Sequence, residues 1–201
     1  MKRRIILAAL AGGLVAIAAA DPSALDTQTF ALTAIDVVPT KAELDTALMA
    51  SGSGSQTPVQ RLEDLAANGS DAGVRLRAIN ALPQYCPMIT GCGGSGDPIH
   101  DTLTTLIGDY QSQLTGANVV VLRAAIESLG ALQKPEDKDT LATLLNHPSR
   151  DIRAASARAL GELRNCLAVT ALRVRYQNES SDQVKLAISE TLRILSPPVC
   201  P

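Results

Sequence analysis

The chain of 201 residues has no tryptophan, one phenylalanine (Phe30) and three tyrosines. A β-sandwich or barrel of this size draws on aromatic and β-branched side chains to fill its faces, so this scarcity argues against one. The core must instead be built from Leu, Ile, Val and Ala, and Ala and Leu lead the helix-propensity ranking. Histidine is almost as rare, with only His100 and His147, each placed near a helix end or turn and expected to be solvated. No P-loop, His-Glu-x-x-His or Gly-x-Ser-x-Gly motif occurs, and no His-Glu dipeptide either. Catalytic residues, metal ligands and cofactors are therefore not expected. Beyond residue 20 no apolar run is long enough to span a bilayer, which takes roughly 20 residues.

The beginning of the chain does carry a compact apolar run. Lys2, Arg3 and Arg4 precede an uncharged stretch from Ile5 to Ala20, with small residues at Ala18 and Ala20 just before Asp21. This is the order of a secretory signal peptide, so residues 1–20 are expected to be removed and the protein to be periplasmic or secreted. Loss of three basic residues leaves 15 against 20 acidic ones, a net charge of −5. A nucleic-acid partner needs a surplus of Lys and Arg to displace counterions from phosphates, and that surplus is missing.

Self-similarity is the strongest signal in the remainder. Four segments align without gaps: Val74-Arg-Leu-Arg-Ala-Ile-Asn-Ala-Leu82, Val121-Leu-Arg-Ala-Ala-Ile-Glu-Ser-Leu129, Ile152-Arg-Ala-Ala-Ser-Ala-Arg-Ala-Leu160 and Val184-Lys-Leu-Ala-Ile-Ser-Glu-Thr-Leu192. With the β-branched residue as position 0, positions 4, 8 and 11 fall on one stripe of a 3.6-residue helix, so each segment predicts an amphipathic helix. A preceding apolar segment supplies a partner helix in each case: Val59 to Leu65, His100 to Tyr110, Asp139 to Leu145, and Leu167 to Val174. The chain thus predicts an all-α solenoid of four antiparallel helix pairs over residues 57–200. Residues 21–56 form an N-terminal extension with one further helix, Lys41 to Met49, where Thr40 and Glu43 fit a capping box. The run Ser51 to Ser55, Ser-Gly-Ser-Gly-Ser, reads as a flexible link.

The segment Arg150 to Leu163 resembles the second helix of a HEAT repeat, of the short type also found in phycobilin lyases. Val121 to Leu132 resembles it nearly as well, including Gly130, whereas Pro83 and Arg193 stand where Gly is usual in the outer copies. The resemblance covers residues 57 to 196. It implies a curved stack of helix pairs with the second helices on the inner side, and it leaves function open because the same repeat serves unrelated roles.

An even count of cysteines after export suggests disulfides. Three repeats separate Cys86 from Cys166, far beyond bridging distance when neighbouring helices pack about 8–10 Å apart. Local pairs are expected instead, Cys86–Cys92 and Cys166–Cys200. Cys92 lies in an insertion between Pro83 and Pro98 whose run Gly91-Cys-Gly-Gly-Ser-Gly96 formally matches a dinucleotide fingerprint. No strand precedes it, so it reads as a disulfide-pinned loop. A metal site from Cys86, Cys92 and His100 would need reduced thiols in an oxidising compartment.

Binding is the function class that survives. Positions 2, 6 and 9 of the four second helices should point away from the buried stripe, reading Leu76, Asn80, Pro83; Arg123, Glu127, Gly130; Ala154, Arg158, Gly161; and Leu186, Glu190, Arg193. The charged members, Arg123, Glu127, Arg158, Glu190 and Arg193, are the candidate contacts for a protein partner, although an ordinary solvated face of Glu–Arg pairs gives the same pattern. The expectation is a non-catalytic scaffold; the alternative is a HEAT-like lyase or other enzyme acting on a small molecule.

Overall fold

The computed structural model describes residues 40–50, 56–86, 96–114, 116–197 and 199–200. The expected signal segment, the link at Ser51 to Ser55 and Cys92 lie outside these residues. Among the described residues there is no strand, and the helices are α1 (Lys41–Ala50), α2 (Pro58–Asn68), α3 (Ala72–Ala81), α4 (Pro98–Tyr110), α5 (Ala117–Ala131), α6 (Lys138–Leu144), α7 (Arg150–Glu162), α8 (Ala168–Asn178) and α9 (Asp182–Ile194). Single 3-10 turns follow α3 at Leu82–Tyr85 and precede α6 at Pro135–Asp137. The pairs α2–α3, α4–α5, α6–α7 and α8–α9 are four hairpins of a HEAT-like α-solenoid.

Local chemistry sets the helix starts. Thr57 and Gln60 cap α2 reciprocally, with the Gln60 amide donating to Thr57 Oγ1 at 3.3 Å and the Thr57 amide to Gln60 Oε1 at 2.9 Å. Thr40 and Glu43 do the same for α1. Asp71 Oδ1 accepts the Val74 amide at 2.9 Å to begin α3, and Asp97 accepts the Ile99 and His100 amides to begin α4. Each of these bonds satisfies a backbone donor that has no partner within its own helix. α5 and α7 end alike: Gln133 and Arg164 take left-handed φ values of 56° and 50°, and their amides return to Gly130 and Gly161.

The core is aliphatic from end to end. Positions 0, 4, 8 and 11 of α5 are Val121, Ala125, Leu129 and Leu132, all buried; in α7 they are Ile152, Ser156, Leu160 and Leu163, all buried as well. Ser156 is the polar member of that stripe, and its hydroxyl donates to the Leu141 carbonyl of α6. α1 adds Leu44 and Leu48 to the same core by packing on α2, tied down by Arg61 on the Leu48 carbonyl and by the Tyr85 hydroxyl on Asp45 at 2.7 Å.

The stack is held mainly through its second helices. α3 packs on α5, α5 on α7, and α7 on α9, and the register repeats. Ser128 at position 7 of α5 donates to the Ile79 carbonyl at position 5 of α3 (3.0 Å), and Thr191 at position 7 of α9 donates to the Ala157 carbonyl at position 5 of α7 (2.8 Å). Position 9 faces position 7 of the next hairpin. A Cβ at Gly130 would lie 2.7 Å from Ala159 Cβ and 2.8 Å from its Cα, and one at Gly161 would lie 3.1 Å from a Thr191 methyl. At Gly130 glycine is needed because the backbone of the next helix crosses there, whereas at Gly161 only the Thr191 side chain is close. Among the described residues no helix follows α9, and Arg193 at its position 9 is exposed.

Candidate functional site

The five candidate contact residues divide by what they already touch. Arg123 and Glu127 form an i,i+4 pair on α5 at 2.8 Å, and the carboxylate raises the guanidinium's pKa further. On an exposed helix face such a pair is worth only about 0.3–0.5 kcal/mol. Arg158, Glu190 and Arg193 are exposed and form no ion pair among the described residues. Position 6 therefore reads Asn80, Glu127, Arg158 and Glu190 along four successive stacked helices, with alternating charge over the last three. Leu186, 61 % exposed, lies one turn before Glu190.

Not all of the stripe faces outward. Gly130, Ala154 and Gly161 are buried, which corrects their expected exposure. The register described above is the reason at position 9, which lies against position 7 of the following second helix; position 2 is buried where it is Ala154 but exposed where it is Arg123. What remains outward is narrower, a ridge of position 6 flanked by Arg123, Glu162 and Ile194. The Glu162 carboxyl is pushed up in pKa by burial and by the nearby Glu127 charge.

Both histidines are buried rather than solvated, each 6 % exposed. Each finds a partner across a repeat boundary that its own sequence neighbourhood does not contain. His100 Nε2 lies 2.9 Å from Asp137 Oδ1, and His147 Nε2 lies 2.9 Å from the Gln111 carbonyl. Among the described residues no group of three or more His, Cys, Asp or Glu side chains could hold a metal ion.

Sequence reasoning also missed the polar links between hairpins. Glu179, in the turn between α8 and α9, is buried and receives a bidentate contact from Arg153 (2.8 and 2.9 Å), two bonds from Arg175, and the Ser180 and Ser181 amides. The Arg153 hydrogen bonds outweigh burial, and together with the amides and Arg175 they hold its carboxyl at about 2, well below the usual range. Arg75 makes a similar link nearer the start of the stack, reaching the Tyr110 hydroxyl at 2.8 Å. Both arginines occupy position 1 of their segments, a regularity visible in the alignment.

Cys166 and Cys200 are joined, with Cα atoms 5.4 Å apart, and Cys86 is also disulfide-bonded. Cys92, its expected partner, lies outside the described residues. Two grooves open on the first-helix side. One, of about 440 Å³ between α2 and α4, is lined by Asn68, Asp101, Thr105, Asp109 and Tyr110; the other, of about 240 Å³ between α6 and α8, by Ala142, Leu145, Ala171 and Val174. Neither contains a candidate contact residue.

A family model described as HEAT repeats matches residues 110–193, from the end of α4 through α9. The match supports the HEAT-repeat family over that segment, and HEAT repeats commonly mediate protein–protein interaction. No curated protein and no solved structure matches the chain. No helix among the described residues is long and apolar enough to cross a membrane.

Proposed function

We propose that this protein is an exported, non-catalytic scaffold that binds a protein partner along the ridge formed by α5, α7 and α9. The observation that supports this most is the ladder at position 6: Glu127, Arg158 and Glu190 project at one register from helices whose backbones are locked together beneath them. A preorganised ladder loses little freedom when a partner settles on it, which is how solenoids use their extended surfaces. The likeness to the short repeats of phycobilin lyases rests on packing positions such as Ile152 and Leu160, and those positions carry no chemistry.

Arg158 and Arg193 are the better residues to reverse, since Arg123 is already committed to Glu127. The double variant Arg158→Glu, Arg193→Glu should weaken affinity capture of the partner from the native envelope fraction while its helical circular-dichroism signal stays unchanged. Capture at wild-type strength would remove the ridge from consideration, and turnover of a small molecule by the purified protein would overturn the non-catalytic assignment. Export has its own test: the intact mass of the native protein should begin at Asp21, and retention of residues 1–20 would refute it.

A further inference from the structure

The hairpins are not alike in charge. Residues 40–114 carry 8 acidic and 4 basic side chains, whereas residues 116–197 carry 9 and 11. The four cations of the first part are engaged or withdrawn. Lys41 pairs with Asp45, Arg61 is buried, Arg77 is half-buried, and Arg75 bonds the Ala66 carbonyl and the Tyr110 hydroxyl. The negative surplus stays on the surface, and part of it lines the groove of about 440 Å³ between α2 and α4, where none of those four cations lies. That volume falls in the ordinary range of binding sites, about 300–1,000 Å³. The smaller groove between α6 and α8 is the opposite case: among the described residues its lining includes Arg175 and no carboxylate.

One face of α4 gives the larger groove its chemistry. Asp101 and Asp109 both line it and both are exposed. At 1.5 Å per residue they stand about 12 Å apart along the helix axis. Asp109 forms no hydrogen bond or ion pair among the described residues. Asp101 uses only Oδ1, for the Gly96 amide at 3.1 Å and His100 Nδ1 at 3.5 Å, which leaves Oδ2 open. Between the two, Thr105 also keeps its hydroxyl open, although its neighbour Thr104 turns its own back onto the His100 carbonyl. Leu106, 3 % exposed, supplies an apolar floor, and α2 contributes Ala67.

This spacing suits an extended polypeptide. Its residues advance about 3.3 Å each and alternate sides, so positions i and i+4 lie on one face about 13 Å apart. We infer that the α2–α4 groove is a second docking surface, separate from the ridge, for an extended segment of a partner protein with Lys or Arg at positions i and i+4 and an apolar residue at i+2. The two cations meet Asp101 and Asp109, the central side chain covers Leu106, and a backbone amide of the segment donates to Thr105.

Fluorescence anisotropy with two labelled peptides of equal composition tests this on the full chain. Gly-Arg-Thr-Val-Thr-Arg-Gly has the required spacing; Gly-Arg-Arg-Val-Thr-Thr-Gly places its arginines on opposite faces. The first should bind with an affinity that falls as salt rises, and the second roughly tenfold more weakly. Asp109→Lys should weaken the first peptide roughly tenfold and Asp109→Asn roughly threefold. Asp109 holds nothing else in the fold, so both variants should keep the wild-type circular-dichroism signal; the two-peptide comparison on the wild type stands without them. Glu136→Lys makes the same charge change at an exposed position outside the groove and should leave binding unchanged. The ridge variant Arg158→Glu, Arg193→Glu should also bind the first peptide normally, so the two surfaces are tested independently. No binding of the first peptide at about 1 mM, equal binding of both peptides, or equal weakening by Glu136→Lys and Asp109→Lys would overturn the inference.

Discussion

Gly130 offers the sharpest test of the stacking register. Replacing it with alanine adds one methyl group 2.7 Å from Ala159 Cβ and 2.8 Å from Ala159 Cα. Real carbon–carbon contacts lie near 3.5–4.0 Å, so α5 and α7 would have to separate by close to 1 Å at their tightest crossing. One of the two obstructing atoms is backbone, so no rotamer change relieves the contact. Overpacking costs about 1–3 kcal/mol, and with backbone in the contact the upper part of that range, about 2–3 kcal/mol, applies, while Gly→Ala inside a helix returns about 1 kcal/mol through propensity. The net expectation for Gly130→Ala is a loss of about 1–2 kcal/mol, or a Tm lower by roughly 2–8 °C for a chain of this length. Gly161→Ala is the matched control. Its methyl would meet only the Thr191 side chain, at 3.1 Å or more, so propensity and crowding should nearly cancel. Thermal and urea unfolding of both variants, followed by circular dichroism, measure the difference. If Gly130→Ala proves as stable as the wild type, or less damaging than Gly161→Ala, the α5–α7 register is wrong.

Glu179→Gln should cost about 3–5 kcal/mol at neutral pH, because Arg153 and Arg175 would lose the carboxylate that compensates them in a buried site. Since the folded pKa is depressed to about 2, that stabilisation is present above the ordinary glutamate value of 4.5 and lost as pH falls through about 2. Urea melts across that interval should show the wild type converging on the variant, and parallel curves would refute the assignment. Cys200→Ala opens a loop with a sequence separation of 34 residues, for which chain entropy gives about 4 kcal/mol. Its thermal destabilisation should exceed that of Cys86→Ala, whose expected loop to Cys92 is short; equal or reversed losses would contradict the role of the bridge in closing the last hairpin.

The sequence by itself determined the helices and their pairing. Spacing at positions 0, 4, 8 and 11 is a property of one helix, and caps such as Thr40 with Glu43 act within a single turn, so both can be read locally. The same holds for the close reach of Cys166 to Cys200, which needs only one hairpin. What only the tertiary structure decided lies between hairpins. A helix in a solenoid buries two faces, one against its own partner and one against its neighbours, and the periodic stripe reports only the first. Gly130, Ala154 and Gly161 looked outward for that reason. His100 and His147 looked solvated because Asp137 and the Gln111 carbonyl are about 36 residues away along the chain and come within hydrogen-bond distance only when the hairpins stack. Glu179 carries no signal of its own in the sequence, because Arg153 is 26 residues away and reaches it only when the last two hairpins stack. Burial, and with it the shifted pKa of His100 and of Glu179, is set by which hairpin lies against which, and that contact is not written in any one segment.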